Sequence, residues 1–329
     1  MPQINGQEVG ATGFGLMGFT WRTPPPPQEQ AFEAMRAALA KGLNFWNAGE
    51  FYGTPEYNSL VLLERYFAKY PEDADKVVLC VKGAAGVDAH HNSGAPEEVR
   101  RSVDTILKQL NGRKKLDIFE CARRDPNTPL EVTFGVLQEY IDKGLLGGIS
   151  LSEVRAETIH EAAKITKIVA VEVELSMFSP DPLENGVAAA CAQYSIPLVA
   201  YSPIGRGMLS GHFKTIDDLP KDSFVRFFPR FSPANFGNNL KLVEQVEELA
   251  KKKGCTPAQL AISWPRNLSE RRPGLPVIIP IPGATTKARV EENAVFVEIT
   301  DEELAEIDAT LAKFEVKGER YPEGIPMNG

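Results

Sequence analysis

Tyr52 and Lys82 are the side chains in this sequence best suited to do chemistry. Tyr52 lies in LNFWNAGEFYGTPEYN (43–58), where an apolar, strand-like stretch gives way to a short glycine-containing loop. Lys82 ends a second apolar run, VVLCVK (77–82). A tyrosine with an ordinary pKa near ~10 is a poor acid at neutral pH, but an ammonium beside it favours the phenolate and eases release of the proton. Such a pair suits a carbonyl carbon that receives hydride, because the oxygen becomes an alkoxide that needs a proton and nearby positive charge. The alternative is a packed aromatic at a strand end.

These residues can act together only if the fold brings two strand ends side by side. Eight short apolar or β-branched runs recur along the 329 residues, at 11–15, 44–47, 77–82, 116–122, 147–151, 168–174, 196–202 and 276–282. Near-continuous apolar runs are what strands buried on both faces look like. Between them, helical periodicity marks 28–41, 96–110, 129–143, 155–165, 183–194 and 240–253, the first stopped by Gly42 and the second opened by Pro96 and two glutamates. Alternating strands and helices at this length predict a single α/β domain over 1–329, a (β/α)8 TIM barrel with large loops at its C-terminal face. Active groups in such a barrel sit at the C-terminal ends of strands, where Tyr52 and Lys82 fall. One connection, 203–239, is far longer than an ordinary barrel loop of ~2–6 residues and is rich in Gly, Pro and aromatics, which suits a cofactor or substrate loop. PPPP (24–27) reads as a stiff turn into the first helix, and the tail 315–329 could pack over the barrel mouth through Tyr321 or fray.

Composition excludes several functions. With 36 basic against 44 acidic residues, net charge −8, and basic residues interspersed with acids, there is no footprint for nucleic acid. The dense basic runs RKK (113–115) and KKK (251–253) are expected at helix C-termini, where lysines complement the dipole. Cysteines at 80, 121, 191 and 255 have no metal spacing, three of them in core-like surroundings, and His90, His91, His160 and His212 form no ligand set. The N-terminus has no secretory pattern and no run reaches the ~18 apolar residues of a membrane span, so a soluble, reducing, cytoplasmic setting is the expectation.

The runs GFGLMGFTW (13–21), NFWNAGEFYG (44–53), VVLCVKG (77–83), LDIFECARRDP (116–126), GGISLSE (147–153), VEVELSMFS (171–179), VAYSPIGRGMLSG (199–211) and IPIPGATTKARVEEN (279–293) together resemble the aldo-keto reductases. They occur in that family's order and cover almost the whole barrel. The likeness is greatest to fungal pyridoxal reductases, through FWNAGEFYG and FECAR. The resemblance implies an NADPH-dependent barrel that reduces carbonyls with a tetrad of Asp, Tyr, Lys and His. Tyr52 and Lys82 take the tyrosine and lysine slots, Asn47 stands in the aspartate slot, and Ala122 in the histidine slot. With an amide at 47, the expectation is an ammonium with no counter-ion and a Lys82 pKa pushed down by desolvation. Glu120, a layer deeper than Ala122, and Arg123, at the other face or the rim, are not obvious substitutes for the imidazole. Without that imidazole, reliance on Tyr52 alone suits a reactive aldehyde better than a ketone.

The resemblance also implies an NADP site. Ser152 and Glu172 take the slots that contact the carboxamide, although Glu172 and its counterpart Glu153 depart from the family's usual Gln or Asn, and Tyr201 is expected to stack on the nicotinamide. Ser202, Pro203, Gly205, Arg206 and Gly207 form the pyrophosphate loop. Gly283, Thr285, Lys287, Arg289, Glu292 and Asn293 belong to the adenosine end, where cations and a helix start favour a 2′-phosphate. A substrate pocket walled by Met17, Trp21, Phe51, Arg123, Phe178 and the loop aromatics Phe224, Phe227, Phe228 and Phe231 suits a flat aromatic aldehyde. Trp46 should face the core. The implied reaction is reduction of pyridoxal to pyridoxine. The alternatives are reduction of other aldehydes, or a low-turnover NADPH-binding protein like the potassium-channel β subunits, which replace the same histidine.

Overall fold

The computed structural model describes residues 1–85, 92–219 and 223–324. His90, His91 and the final five residues of the tail lie outside the described residues. The eight apolar runs form eight parallel strands: β1 (Phe14–Gly15), β2 (Phe45–Gly49), β3 (Val78–Gly83), β4 (Leu116–Cys121), β5 (Leu146–Ser152), β6 (Ile168–Glu174), β7 (Leu198–Tyr201) and β8 (Ile278–Pro280). They adjoin in chain order, and the last meets the first. Gly13 and Gly15 donate their N–H groups to the carbonyls of Pro280 and Pro282, and Gly15 and Gly283 form a parallel bridge. The fold is thus the (β/α)8 barrel that the alternation predicted.

Period-two alternation sorts the strand residues into layers inside the barrel. Phe45, Cys80, Ile118, Ala170, Val199 and Ile279 form an apolar floor, closed from below by Ile4 and Val9 of an N-terminal hairpin. Asn5 ties that hairpin to β5 by donating to the Gly147 carbonyl at 2.8 Å. Two residues further along four of these strands stand Asn47, Lys82, Glu120 and Glu172, every one buried. The outward faces pack the helices. Trp46 is fully buried against Phe14, Tyr66 and Phe67, on the core side as expected.

The surrounding helices are α1 (Gln28–Ala40), α2 (Ser59–Lys69), α3 (Pro96–Leu110), α4 (Leu130–Asp142), α5 (Ala156–Ile165), α6 (Val187–Gln193), α7 (Pro233–Lys253), α8 (Pro257–Arg271), α9 (Lys287–Asn293) and α10 (Asp301–Leu311). Helices α2, α8, α9 and α10 go beyond the six read from periodicity, and Thr286 caps α9 by accepting from the Arg289 N–H. Each follows a side-chain cap: Asn58 accepts from the N–H groups of Leu60 and Val61, and Thr256 and Thr300 form capping boxes. The described residues of 203–239 form short 3-10 turns on both sides of 220–222 and run into α7, which starts at Pro233 rather than near 240. RKK lies beyond the end of α3, and Lys114 is buried in an ion pair with Asp117 at 2.6 Å, so it serves burial rather than a helix dipole. KKK does end a helix, α7, before the left-handed Gly254.

Candidate active site

Tyr52 follows β2 on a tight turn that leaves its ring no freedom. Its N–H donates to Gly49, and its carbonyl accepts from the Ser59 N–H at 3.1 Å and from the Thr20 hydroxyl at 2.6 Å. Trp21 stacks on the ring at 5.2 Å, and Phe51 packs against it edge-on at 5.1 Å. The floor beneath is Gly49, where a Cβ would lie 2.9 Å from the ring carbons. Register brings Lys82 alongside, because Gly49 and Lys82 are partners across β2 and β3.

Lys82 is buried among acceptors. Its Nζ donates to Asn47 Oδ1 at 3.0 Å, pairs with Glu120 Oε1 at 3.0 Å, and pairs with Glu172 still more closely. An ammonium has three donors, and three acceptors meet them. Asn47 Nδ2 in turn donates to Glu172 at 2.6 Å and to Glu120 at 3.5 Å, while the Ser150 hydroxyl donates to the other Glu120 oxygen at 2.8 Å. Two expectations are overturned here. Lys82 has counter-ions: burial alone would lower its pKa, but Glu120 and Glu172 together hold it well above the ordinary lysine value. Glu172 is committed to Lys82 and Asn47 from inside the barrel, so its side chain is not turned outward to a carboxamide. Burial and the neighbouring Glu120 raise the Glu172 pKa, with Lys82 opposing them.

The Tyr52 phenol is pushed up to about 12, chiefly by burial, with the Lys82 charge pulling it down and Glu172 and Glu120 raising it again. The lysine therefore acts in the expected direction, but desolvation outweighs it. Ala122 is buried at the histidine slot. Arg123 donates to the Ala122 carbonyl at 2.6 Å and lies 5.6 Å from the Tyr321 ring, at the rim rather than inside.

A second cluster lines the mouth on the β5, β6 and β7 side. The Ser152 hydroxyl is buried and has no protein partner. Ser202, Gly205, Arg206 and Gly207 adopt left-handed backbone angles, which for the last three means consecutive residues folded into one tight turn. The Arg206 guanidinium pairs with Glu174 at 2.8 Å and lies over the rings of Phe228 and Tyr321. The tail reaches the same place: Arg320 pairs with Glu153 at 2.8 Å and with Glu174 at 3.3 Å, and the Tyr321 and Tyr201 hydroxyls meet at 2.7 Å. Arg320, Arg206, Glu174 and Phe178 line one crevice with Gly205 and Arg230. Of the aromatics expected in a pocket wall, Trp21 and Phe51 flank Tyr52, and Met17 opens the short helical turn that leads to Trp21. Phe178 and Phe231 are buried, Phe228 packs on Tyr321 at 5.5 Å, and Phe224 and Phe227 face solvent. At the far end Gln30 donates to the Thr285 carbonyl and Thr286 caps α9; Lys287 is exposed, Arg289 and Glu292 approach at 3.4 Å, and Asn293 is buried. Pro203 lies between Ser202 and the left-handed turn, and Gly283 is the strand-closing bridge.

The His160 ring meets the Tyr194 hydroxyl at 3.1 Å, and among the described residues no group of His, Cys, Asp and Glu could hold a metal. No helix among them is long and apolar enough to cross a membrane. The family motif gives Glu120 no role beside Lys82. Register was the available signal, because Glu120 is the direct β4 partner of Lys82 on β3.

A barrel whose strand ends present a buried tyrosine and lysine is that of a carbonyl oxidoreductase. The chain belongs to the aldo/keto reductase family, whose sequence pattern matches residues 11–312. It is 44% identical over 330 residues to the protein named "probable pyridoxal reductase 2" of Schizosaccharomyces pombe, covering 98% of this chain and 97% of that one. Among solved structures, the glycerol dehydrogenase of Gluconobacter oxydans superposes with a TM-score of 0.81 at 21% identity, covering 96% of each chain. A thermostable aldo-keto reductase does so at 0.72 and 22% identity, over 94% of this chain and 98% of that one. These two likenesses speak to the fold alone.

Proposed function

We propose that this oxidoreductase reduces a small aromatic aldehyde with NADPH, and that pyridoxal, converted to pyridoxine, is its substrate. The observation that carries the reaction type is the buried Tyr52 ring fixed beside the Lys82 ammonium. The name of the Schizosaccharomyces pombe relative carries the substrate.

The cofactor fits the residues present. The unpartnered, buried Ser152 hydroxyl is a polar group awaiting a ligand, because such atoms are ordinarily hydrogen-bonded. Ser152 and Tyr201 would hold the nicotinamide end, the backbone of 202–207 with Arg206 the pyrophosphate, and Lys287, Arg289 and Asn293 the adenosine phosphate end. A reduced nicotinamide held there would supply hydride for the carbonyl carbon. Tyr52 donates its hydroxyl proton to the carbonyl oxygen, and the Lys82 charge stabilises the phenolate left behind. Trp21 and Phe51 screen the phenol from water, which strengthens both effects. Since Tyr52 must be protonated to act as the acid, reduction is expected to fall as pH rises through its pKa.

Two outcomes test these assignments. Arg289→Ala is expected to raise the KM for NADPH about tenfold and to leave that for NADH nearly unchanged, as loss of one charge-assisted phosphate contact would. Equal effects on both cofactors would remove Arg289 from the phosphate site. Gly49→Ala places a methyl group against the Tyr52 ring, so kcat is expected to drop roughly 10²-fold from ångström-scale misplacement of the acid. Steady-state kinetics with pyridoxal read this directly, and an unchanged kcat would mean that the position of Tyr52 is not critical.

A further inference from the structure

The layer that holds Lys82 sets two carboxyl groups against one ammonium, and the amide at position 47 explains how it is held together. Glu172 accepts from Lys82 with one oxygen and from Asn47 Nδ2 with the other, at 2.6 Å. Glu120 accepts from Lys82 at 3.0 Å and from Ser150 at 2.8 Å. Asn47 is the only member of the group that faces both ways: its oxygen accepts from the ammonium at 3.0 Å, while its nitrogen donates to both carboxylates, at 2.6 and 3.5 Å. An aspartate here would keep the first contact and lose the other two. It would also bring a third carboxylate onto one buried ammonium, and like charges at such separations disfavour ionisation. An asparagine at 47 and a glutamate at 172 therefore belong together.

We infer that Glu172 and Glu120 are the counter-charge of Lys82 in this barrel, and that Asn47 is the amide that clamps them to it. All three are positioning residues, which act on Tyr52 through Lys82. The inference rests on the reductase reading for its effect on rate, but its charge coupling is independent of any substrate.

Charge exchange tests the inference. Asn47→Asp alone is expected to lower kcat about tenfold or more and to lower Tm by several degrees, because it removes a donor and adds a buried charge. Glu172→Gln alone is expected to lower kcat by a similar factor with little change in the NADPH dissociation constant. The double variant Asn47→Asp/Glu172→Gln puts one carboxylate and one amide back around Lys82 with their positions exchanged, and is expected to recover kcat and Tm to within a few-fold and a few degrees of the starting protein. Recovery of this kind is non-additivity between contacting residues, which a general loss of packing would not produce. A Glu172→Gln variant with unchanged kcat, a faster Asn47→Asp variant, or a double variant as poor as the sum of its parts would each overturn the inference. Should the starting protein reduce no aldehyde, the proposed function fails, and the Tm values of the four proteins still decide the charge coupling. Where a variant is too unstable to assay, Glu120→Gln replaces Glu172→Gln in the same cycle.

Discussion

Phenylalanine at position 52 is expected to reduce kcat for aldehyde reduction by roughly 10²–10⁴-fold, the range that a positioned general acid contributes. The substitution removes one oxygen. It leaves the ring stacked on Trp21 and edge-on to Phe51, and it leaves the backbone bonds to Thr20, Gly49 and Ser59 intact. NADPH binding, followed by cofactor fluorescence, and the unfolding temperature are therefore expected to stay close to those of the starting protein. Burial already holds the phenol near 12, so the starting protein should keep its reductive rate through the mildly alkaline range and lose it only as the phenol ionises. A Tyr52→Phe protein that retains a third of its kcat would show that the proton comes from another group.

Methionine at position 82 is expected to destabilise the barrel severely. It fills the space of the lysine chain but leaves Glu120 and Glu172 buried without their cation, and breaking a buried ion pair from one side costs about 3–5 kcal/mol. The loss should depend on pH with a definite sign. Burial and Glu120 raise the Glu172 pKa while Lys82 lowers it, so removing the lysine raises it further above its unfolded value. The folded state then binds more protons than the unfolded state, and stability falls as pH rises. Glu172 of the starting protein is raised to about 8, so thermal unfolding of Lys82→Met should show a larger Tm deficit at ~pH 9.5 than at ~pH 7, the interval in which Glu172 ionises beside Lys82 but stays protonated without it. A deficit independent of pH would mean that the carboxylates are not the cause. Aldehyde reduction is expected to be lost at either pH, since Tyr52 would lack the charge that stabilises its phenolate.

The barrel was legible in the sequence because each strand is a short apolar run bounded by turn residues, and because near-regular alternation admits few topologies. The helices were less so. Helix α2 begins within a few residues of the Tyr52 turn, and its start is marked by Asn58 as a cap rather than by a break in composition. Helix α7 begins inside a stretch rich in Gly, Pro and aromatics, where local composition reads as loop and tertiary contacts decide otherwise.

At the site, Tyr52 and Lys82 could be read from their places at adjacent strand ends. The environment of Lys82 could not, because it depends on strand stagger. The sequence places Glu120 a layer deeper than Ala122, but it does not show that Lys82 and Asn47 occupy that same layer. The resemblance assigns Glu172 to a carboxamide contact, yet it follows Ala170 of the barrel floor by two residues and so shares its inward face. The missing counter-charge at Asn47 was thus a question about three strands, and a linear motif carries only one of them at a time.

The most direct test of the account is the initial rate of NADPH oxidation, followed by absorbance at fixed protein concentration with pyridoxal as the only added substrate, and with the product identified by chromatography. Pyridoxal-dependent oxidation that yields pyridoxine in equal amount is the predicted result. Saturable NADPH binding with no oxidation by pyridoxal or by other aromatic aldehydes would contradict it, and would mean that this barrel holds its cofactor without the proton transfer assigned to Tyr52.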